Sequence, residues 1–441
     1  MSVASIKQRL ETSAAFSLAT AFLARGATAG LIFLLVALAA QELDVQSFGL
    51  FSMFYSVAGM LALIVAGGQQ TLIMRSWNEY TAAGDAAHFK GALIFGGAVF
   101  LVGLPILSLG LFCTLAFWYP WPIAIAVTSY MAGLAVVTGT AHLVRAAVGI
   151  EAGDGLGNLL TLALPITYLL AHLFIPGQAD LAELFFLFPL GSLMASAIHI
   201  FLLRNRIGEE FPTFTAVTPS FDLGTWGGRS VKLWLFNGLE STNQFLDVLI
   251  LGLLLSPAAA GAYFILTRLA NVFIIAHGAV QFYCSRHVPR LYFQRDFKQL
   301  DHYLHIVALA CGLLIPAGLL AIWIAGPYVL AMFGSEYVQY APLLVLLSLG
   351  TAAILSAGAS GILLTFTGHE GWIGAIVAAA VATRLVGFVV VVPILQIAGA
   401  ALVTASSFIL MSAGLWHFTR KLTKLDGSVF RLLSRPEGPL T

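Results

Sequence analysis

The sequence predicts an all-α integral membrane protein with about twelve transmembrane helices and both termini in the cytoplasm. Three observations carry this prediction. Hydrophobic residues make up 59% of the chain and charged residues only 9%, with a mean hydropathy of +0.94. The apolar residues lie in long runs with few charges, and the basic residues cluster between every second pair of runs. Long uncharged stretches of this kind are typical of membrane helices and not of soluble proteins.

Twelve apolar runs are long enough to cross a membrane, because about 20 helical residues span the hydrocarbon core. The first run follows Lys7 and Arg9 and is too long for the apolar region of a signal peptide, so we expect a retained span. Spans three and four meet at Trp118, Tyr119 and Trp121, as in an aromatic belt at the membrane interface. The predicted spans are 14–40, 47–74, 91–118, 122–144, 156–176, 182–203, 231–255, 258–285, 303–330, 337–366, 372–394 and 397–419.

The basic residues predict the orientation of the chain. None of its 21 Lys and Arg residues lies in a connection that follows an odd-numbered span. Apart from Arg25, Arg268 and Arg384, which lie inside spans, all are at the termini or in and beside the other connections. Lys and Arg concentrate on the cytoplasmic side of membrane proteins, so those connections and both termini are predicted to be cytoplasmic. Two basic stretches there, 286–298 and 421–435, are expected to be surface helices held near anionic headgroups.

The longest polar stretch, Arg204 to Arg229, divides the chain into two halves of six spans each. A short sequence similarity between the halves suggests an internal duplication, which is a recurrent architecture among transporters. Span two opens with the sequence FGLF at Phe48, and span eight opens with AGAY at Ala260. The predicted domains are an N-terminal six-helix bundle at 1–205, a cytoplasmic connector at 206–230, and a C-terminal six-helix bundle with a basic tail at 231–441.

Five charged residues lie well inside predicted spans: Arg25, Glu240, Asp247, Arg268 and Arg384. A charge at the bilayer centre costs about 2.5–3.5 kcal/mol on insertion scales, so such residues usually face a cavity or a partner. These five are therefore the first candidates for functional residues.

Spans seven and eight predict an ion pair between Asp247 and Arg268. The spans are antiparallel and joined near Pro257, and the two residues lie at similar distances from that proline along their helices. At 1.5 Å per residue they reach similar depths on adjacent helices. Such a pair either locks the two helices together or breaks and reforms during transport.

Span seven also carries a polar stripe of Asn237, Glu240, Gln244 and Asp247 at helical spacing. This spacing places the four side chains on one helical face, where they are expected to line a polar cavity or meet other helices. Burial raises the pKa of a carboxyl group, so Glu240 is a candidate for coupling to H⁺ or Na⁺, and Asp247 for coupling or gating. The alternative for Glu240 is a carboxyl group hydrogen-bonded to neighbouring helices.

Arg25 and Arg384 have no acidic residue in their own spans. Cations in a cavity suit an anionic ligand, and the Arg fork matches phosphate oxygens, so both are candidates for substrate binding. The alternative pairs them with Glu240 or with carbonyl groups at helix ends. Arg145 lies at the inner end of span four, where topology alone accounts for it.

Motifs for catalysis or cofactors do not stand out. Cys113, Cys284 and Cys311 are scattered, and the histidines do not follow metal-ligand spacing. No glycine-rich phosphate loop or nucleophile–base constellation was found, so we expect neither a metal nor a cofactor, neither enzymatic activity nor nucleic-acid binding.

Several stretches resemble the polysaccharide-precursor flippases of the multidrug/oligosaccharidyl-lipid/polysaccharide exporter superfamily. The similarity covers nearly the whole chain with loose motifs. Residues 244–270 carry the strongest likeness. The matching stretches are Ser47-Phe48-Gly49-Leu50-Phe51, Arg145-Ala146, Asp247-Val248-Leu249-Ile250-Leu251-Gly252, Ser256-Pro257, Gly261-Ala262-Tyr263, Thr267-Arg268-Leu269, Pro289 and Phe333-Gly334-Ser335-Glu336-Tyr337.

This resemblance implies two six-helix bundles around a central cavity. It also implies movement of an undecaprenyl-pyrophosphate-linked oligosaccharide from the inner to the outer leaflet of a bacterial inner membrane, for O-antigen, capsule or exopolysaccharide synthesis. Related flippases hold the pyrophosphate with arginines in the first and eighth spans. Arg25 and Arg268 occupy those spans here, and Asp247 would orient Arg268 in the empty site. Expected partners are this lipid-linked substrate, membrane lipids, and a polysaccharide polymerase with its export machinery.

Other functional classes remain open at this stage. An ion-coupled exporter of drugs or small molecules from the same superfamily is the first alternative, although cationic drugs would be repelled by intramembrane arginines. A membrane-bound polymerase or ligase would need a large outer loop, whereas the predicted outer connections are only a few residues long. A structural scaffold would leave the charges inside the spans unexplained.

Overall fold

The computed structural model describes residues 26–174 and 177–433, apart from the side chain of Arg286. These residues form helices and no strand. The α-helices are α1 (Gly26–Glu42), α2 (Val45–Val65), α3 (Gln69–Ala83), α4 (Ala86–Trp118), α5 (Trp121–Ala147), α6 (Leu156–His172), α7 (Leu181–Glu210), α8 (Leu223–Leu254), α9 (Pro257–Ala270), α10 (Val272–Phe293), α11 (Phe297–Ala331), α12 (Ala341–Ser356), α13 (Ser360–Phe366) and α14 (Glu370–Thr423).

The predicted all-α membrane fold is confirmed. Each of the twelve predicted spans coincides with a helix, a broken helix or one arm of α14, and nine helical stretches of the described residues are long and apolar enough to cross a membrane. Span one corresponds to α1 only from Gly26 onward, since its earlier residues lie outside the described part of the chain. The protein is therefore a multi-pass membrane protein, while the cytoplasmic position of its termini stays a prediction.

Some spans contain breaks that the apolar pattern does not reveal. Span two is divided between α2 and α3 at Gly67 and Gly68, whose φ values of 56° and 75° suit glycine. Span eight is divided at Asn271, and span ten near Gly358, which has a φ of 54°. Spans eleven and twelve are the two arms of α14, which fold back at Gln396 (φ 52°, ψ −135°). Hydropathy records the length of an apolar run, whereas local backbone geometry decides whether the helix continues through it.

The chain forms two compact units, Met1–Leu246 and Asp247–Thr441, and the division falls inside α8. In the first unit, α5 packs against α7 and contacts α2, α3 and α4. An aromatic core lies among these helices, in which the ring centroids of Tyr130 and Phe188 are 4.5 Å apart and those of Phe51 and Phe185 are 5.6 Å apart. Gly191 on α7 lies so close to α6 that a Cβ there would be 2.1 Å from the carbonyl oxygen of Leu160. Small residues permit this approach, as is common in membrane helices.

The second unit is built around α12, which packs against α11 and α14. Gly350 brings α12 close to the second arm of α14, since a Cβ at this position would lie 2.5 Å from the Cα of Ala405. Both thiols of Cys284 and Cys311 are free and buried in an apolar cluster with Leu304 and Leu355. They therefore serve as small core residues.

The polar connector between α7 and α8 is tied to the first unit. The Nζ atom of Lys90 donates to the carbonyl oxygen of Val217 at 2.9 Å, and the amide of Ser220 donates to Ala87 at 3.0 Å. Trp226, at the start of α8, is fully buried and donates through Nε1 to the hydroxyl of Tyr80 at 3.2 Å. The connector is therefore an ordered segment that packs along α3 and α4.

The segment after α14 folds back onto the second unit. We expected a surface helix at 421–435, but α14 ends at Thr423 and the described residues that follow form a turn and a short 3₁₀ helix. Asp426 accepts from the amide and hydroxyl of Ser428 at 3.0 and 2.7 Å, and Arg431 pairs with Asp301. The carbonyl oxygen of Gly427 accepts from the amide of Ala359 at 2.8 Å, at the break between α12 and α13. The tail is thus hydrogen-bonded to this break and does not continue as an α-helix.

Candidate functional site

The most conspicuous polar site of the first unit lies where α5 ends and α6 begins. A π-helical turn, Glu151–Gly155, precedes α6 and carries Asp154. A single turn of this kind widens the helix locally and is frequent at functional sites. Gly153 allows the turn to pack on α5, since a Cβ there would lie 2.5 Å from the carbonyl oxygen of Ala141 and 2.9 Å from the amide nitrogen of Arg145. This close approach brings Asp154 within reach of Arg145.

Arg145 and Asp154 form an ion pair with a distance of 2.5 Å between Nη2 and Oδ1. Their side chains retain 31% and 26% of their surface exposed, so the pair is only partly covered by protein. The Nε atom of Arg145 is buried and has no hydrogen-bond acceptor among the described residues. The guanidinium therefore keeps donor capacity beyond its bond to Asp154.

His199 of α7 fixes the π-helical turn from the other side. It is fully buried, its Nε2 lies 3.0 Å from the carbonyl oxygen of Ala152, and its Nδ1 lies 2.9 Å from the hydroxyl of Thr140. Because a carbonyl can only accept, Nε2 donates to Ala152, and Nδ1 shares the second hydrogen bond with the hydroxyl of Thr140. The histidine thereby links the turn to both α5 and α7, which holds Asp154 in place.

Two cavities open beside this ion pair. The larger has a volume of about 470 Å³ and is lined by Arg145, Asp154 and Asn158 together with Thr28, Leu63, Ile150 and Gln244. The smaller, of about 180 Å³, shares Asp154 and Asn158 with it and is also lined by His142. Asn158 donates to the hydroxyl of Thr28 at 3.4 Å across the larger cavity wall. The larger volume is in the range of small-molecule sites.

The second unit contains a separate buried charge pair, Asp247 with Arg384. Only 9% and 3% of these residues are exposed, and the distance between Oδ2 and Nη1 is 3.4 Å. Thr404 donates to the same carboxylate oxygen at 3.0 Å, and Arg384 donates through Nε to Ser407 at 2.8 Å. The hydroxyl of Tyr263 donates to Thr404 at 2.7 Å, which extends the network to α9. The pair thus joins α8 to both arms of α14.

The predicted pairing of Asp247 with Arg268 is wrong, because the carboxylate of Asp247 lies against Arg384. Arg268 is half-buried, and its guanidinium carbon lies 4.6 Å from the ring centroid of Phe264, one turn earlier on the same helix. Equal depth on adjacent helices does not fix the direction in which two side chains point. The fold instead brings Arg384 to Asp247 from a span far along the chain, and the hairpin at Gln396 places Ser407 of the second arm beside Arg384.

The other predicted site residues occupy different environments. Arg25 lies outside the described residues. Gln244 is exposed and lines the larger cavity. Glu240 is exposed, and Asn237 is half-buried with an Nδ2 that has no acceptor among the described residues. The polar stripe of α8 is therefore not one continuous site, since Asp247 at its end belongs to the buried network of the second unit.

Arg145 and Asp154 were missed because each has an ordinary explanation in the sequence. Arg145 ends an apolar span at the side where basic residues are expected, and Asp154 lies in a polar connection. The available signal was the sequence Gly149-Ile150-Glu151-Ala152-Gly153-Asp154-Gly155, in which two acids and three glycines closely follow an arginine. Among the described residues, His, Cys, Asp and Glu form no group that could hold a metal ion.

No protein-family model matches this chain, and no curated protein matches its sequence. Solved structures do match its fold. An inward-facing multidrug resistance MATE family transporter of the MOP superfamily has a TM-score of 0.66 at 13% identity, over 89% of this chain and 94% of that one.

Two further structures match over most of their length. A MOP superfamily transporter from Pyrococcus furiosus Vc1 (DSM3638), described as having a binding pocket of reverse polarity that suggests a different function, has a TM-score of 0.59 at 11% identity, over 92% of this chain and 96% of that one. A mutant of the Vibrio cholerae MATE transporter VcmN has a TM-score of 0.56 at 14% identity, over 94% of this chain and 98% of that one. This chain is therefore a multi-pass membrane protein with the fold of the MATE transporters of the MOP superfamily.

Proposed function

We propose that this chain is a membrane transporter that exports small molecules. The carrying observation is the cavity of about 470 Å³ in the first unit, which presents the Arg145–Asp154 pair, two amide side chains and apolar Leu63 and Ile150. Ligand sites in proteins use a few convergent polar groups to orient the ligand, and this cavity presents such groups beside apolar surface. The likeness to multidrug transporters supports the same class of function.

The charge pairs in the structure favour this reading over the flippase that the sequence suggested first. In the sequence, the arginines inside the predicted spans favoured an anionic substrate over cationic ones. Arg384 has its charge balanced by Asp247, and Arg145 by Asp154, so neither makes its surroundings strongly positive. A pyrophosphate held at Arg145 or Arg384 would leave a carboxylate without its counter-ion, whereas a small molecule of low net charge would not.

The flippase of a lipid-linked oligosaccharide is the second candidate. It is favoured by the likeness of residues 244–270 to that family, and it would use Arg25 and Arg268 at the pyrophosphate. For either function we place the protein in a bacterial inner membrane with both termini cytoplasmic, and we keep Glu240 as the candidate for coupling to H⁺ or Na⁺. Transport by rocking of two bundles would suit both substrates.

Two measurements on one set of strains separate the candidates. Overexpression in a strain deprived of its own exporters should raise resistance to several small toxic compounds and lower their cellular accumulation, and Asp154→Asn should reduce both effects at equal protein abundance. Glu209→Gln is the matched control, because Glu209 pairs with Arg206 at the exposed end of α7 and lines neither cavity. Unchanged resistance, together with accumulation of lipid-linked sugar when the gene is deleted, would instead establish the flippase.

A further inference from the structure

We propose that the larger cavity of the first unit binds an amphoteric small molecule, whose anionic group meets Arg145 and whose cationic group meets Asp154. This inference rests on the proposed export function and specifies its substrate class. Both charged residues line the cavity and stay partly exposed, so a ligand can reach each of them.

The ion pair leaves hydrogen-bonding capacity for a ligand on both sides. A guanidinium has five N–H donors in a fork that matches a carboxylate or phosphate, and Nε of Arg145 is buried without an acceptor among the described residues. Nε itself is enclosed by protein, so the other N–H groups of the fork would meet the ligand, on a side chain that keeps 31% of its surface exposed. On the other side, Asp154 uses Oδ1 for the 2.5 Å contact, and a carboxylate accepts at both oxygens.

The rest of the cavity wall is polar but uncharged, with two apolar residues. Asn158 and Thr28 are bonded to each other at 3.4 Å, which is long enough to exchange for bonds to a ligand. Gln244 contributes an exposed amide from α8, and Leu63 and Ile150 contribute apolar surface. The amides can orient a ligand without changing the net charge of the wall, which is set by one cation and one anion.

This balance of charges discriminates against ligands of a single sign. A ligand that is only cationic competes with Arg145 for Asp154 and leaves the guanidinium without its counter-ion. A ligand that is only anionic competes with Asp154 for Arg145 and leaves the carboxylate without its counter-ion. Leaving one member of this partly exposed pair without its counter-ion is unfavourable, although solvent screens part of the cost. A ligand with both charges replaces each lost contact with an equivalent one, so both protein charges stay neutralised. Selectivity arises here from repulsion of the wrong ligands as much as from attraction of the right one.

Three matched probes test this inference on the purified full-length protein in lipid nanodiscs. Tryptophan carries both charges at neutral pH, its methyl ester carries only the positive charge, and N-acetyltryptophan carries only the negative one. We expect tryptophan to bind at least about tenfold more tightly than either derivative in calorimetric titration, the effect of losing one charged contact worth about 1.4 kcal/mol.

Substitutions at the pair should reverse the order of the probes in opposite directions. Arg145→Gln leaves Asp154 as the only charge, so the methyl ester should become the tightest ligand. Asp154→Asn leaves Arg145, so N-acetyltryptophan should become the tightest. Arg145→Lys keeps both charges and should preserve the preference for tryptophan, which separates a charge effect from damage to the fold. Glu209→Gln should leave all affinities as in the wild type.

The inference is overturned if the wild type does not prefer tryptophan to both derivatives, or if the two substitutions change all three affinities in parallel. These outcomes are distinct from failure of the proposed function. A strain that exports toxic compounds while the purified protein has no charge preference retains the function and loses the inference. A strain that instead accumulates lipid-linked sugar on deletion loses the function, whatever the probes do.

Discussion

The buried pair of the second unit gives the sharpest prediction for stability. Arg384→Ala removes a guanidinium that donates to Ser407 at 2.8 Å, lies 3.4 Å from the carboxylate of Asp247 and packs over the ring of Phe408 at 4.6 Å. Breaking a buried pair by removing one partner typically costs about 3–5 kcal/mol, because the remaining charge stays buried without compensation. We expect the free energy of unfolding to fall by about this amount.

A double variant separates the contribution of the ion pair from that of side-chain packing. In Asp247→Asn/Arg384→Met both charges are absent and the volume of the side chains is roughly kept, so the double variant should be more stable than either single charge removal. The cycle consists of the wild type, Asp247→Asn, Arg384→Met and the double variant, and its coupling energy should reach about 1–3 kcal/mol, as for residues in direct contact. Reversible unfolding in mixed detergent micelles, followed by tryptophan fluorescence, measures all four proteins.

Arg268→Gln provides the matched control on the neighbouring helix, since its guanidinium packs over Phe264 of its own helix. Its coupling to Asp247→Asn should stay below about 0.5 kcal/mol, as for residues without shared contacts. The reasoning fails if Arg268 couples to Asp247 as strongly as Arg384 does, or if Arg384→Ala leaves the unfolding free energy unchanged.

Three other predictions concern the packing of α5, the tail, and the turn between α3 and α4. Gly153→Ala should lower the unfolding free energy by about 1–3 kcal/mol, because its new methyl group meets the backbone of α5. Gly139→Ala is the control: nothing lies within 4 Å of its Cβ, so it should be neutral or slightly stabilising in the same unfolding assay. Asp426→Ala should lower the unfolding free energy by about 1.5–3 kcal/mol, because hydrogen bonds to a carboxylate are lost. It should also make the tail more sensitive to limited proteolysis, and equal cleavage rates in the variant and the wild type would contradict a docked tail. The backbone amide of His88, together with its ring, lowers the pKa of Asp85 in the folded protein. The stability that Asp85 contributes is therefore present above its ordinary pKa of 3.8 and is lost as the pH falls through the lower pKa of the folded state. Asp85→Asn should flatten the acid side of a plot of melting temperature against pH, and an unchanged acid side would refute this.

The positions of the spans could be predicted from the sequence because each depends on local composition. A helix in hydrocarbon satisfies its backbone internally, so about 20 apolar residues suffice to specify one wherever they occur. The short turn before Pro257 could be predicted for the same reason. The break near Gly358 and the reversal at Gln396 were not predicted, because they depend on single backbone conformations inside apolar runs.

The pairing of charges was decided by the tertiary structure alone. Depth along a helix follows from residue number, and it correctly placed Asp247 well inside the membrane protein. The partner of Asp247 depends on which helices pack and how each is rotated, and the fold brings Arg384 from a span more than a hundred residues away. Arg145 and Asp154 meet only because Gly153 lets a π-helical turn approach α5. Local composition thus determines that the chain spans a membrane many times, whereas the meeting of distant charges and the cavity beside them arise from packing between helices, which has no local pattern in the sequence.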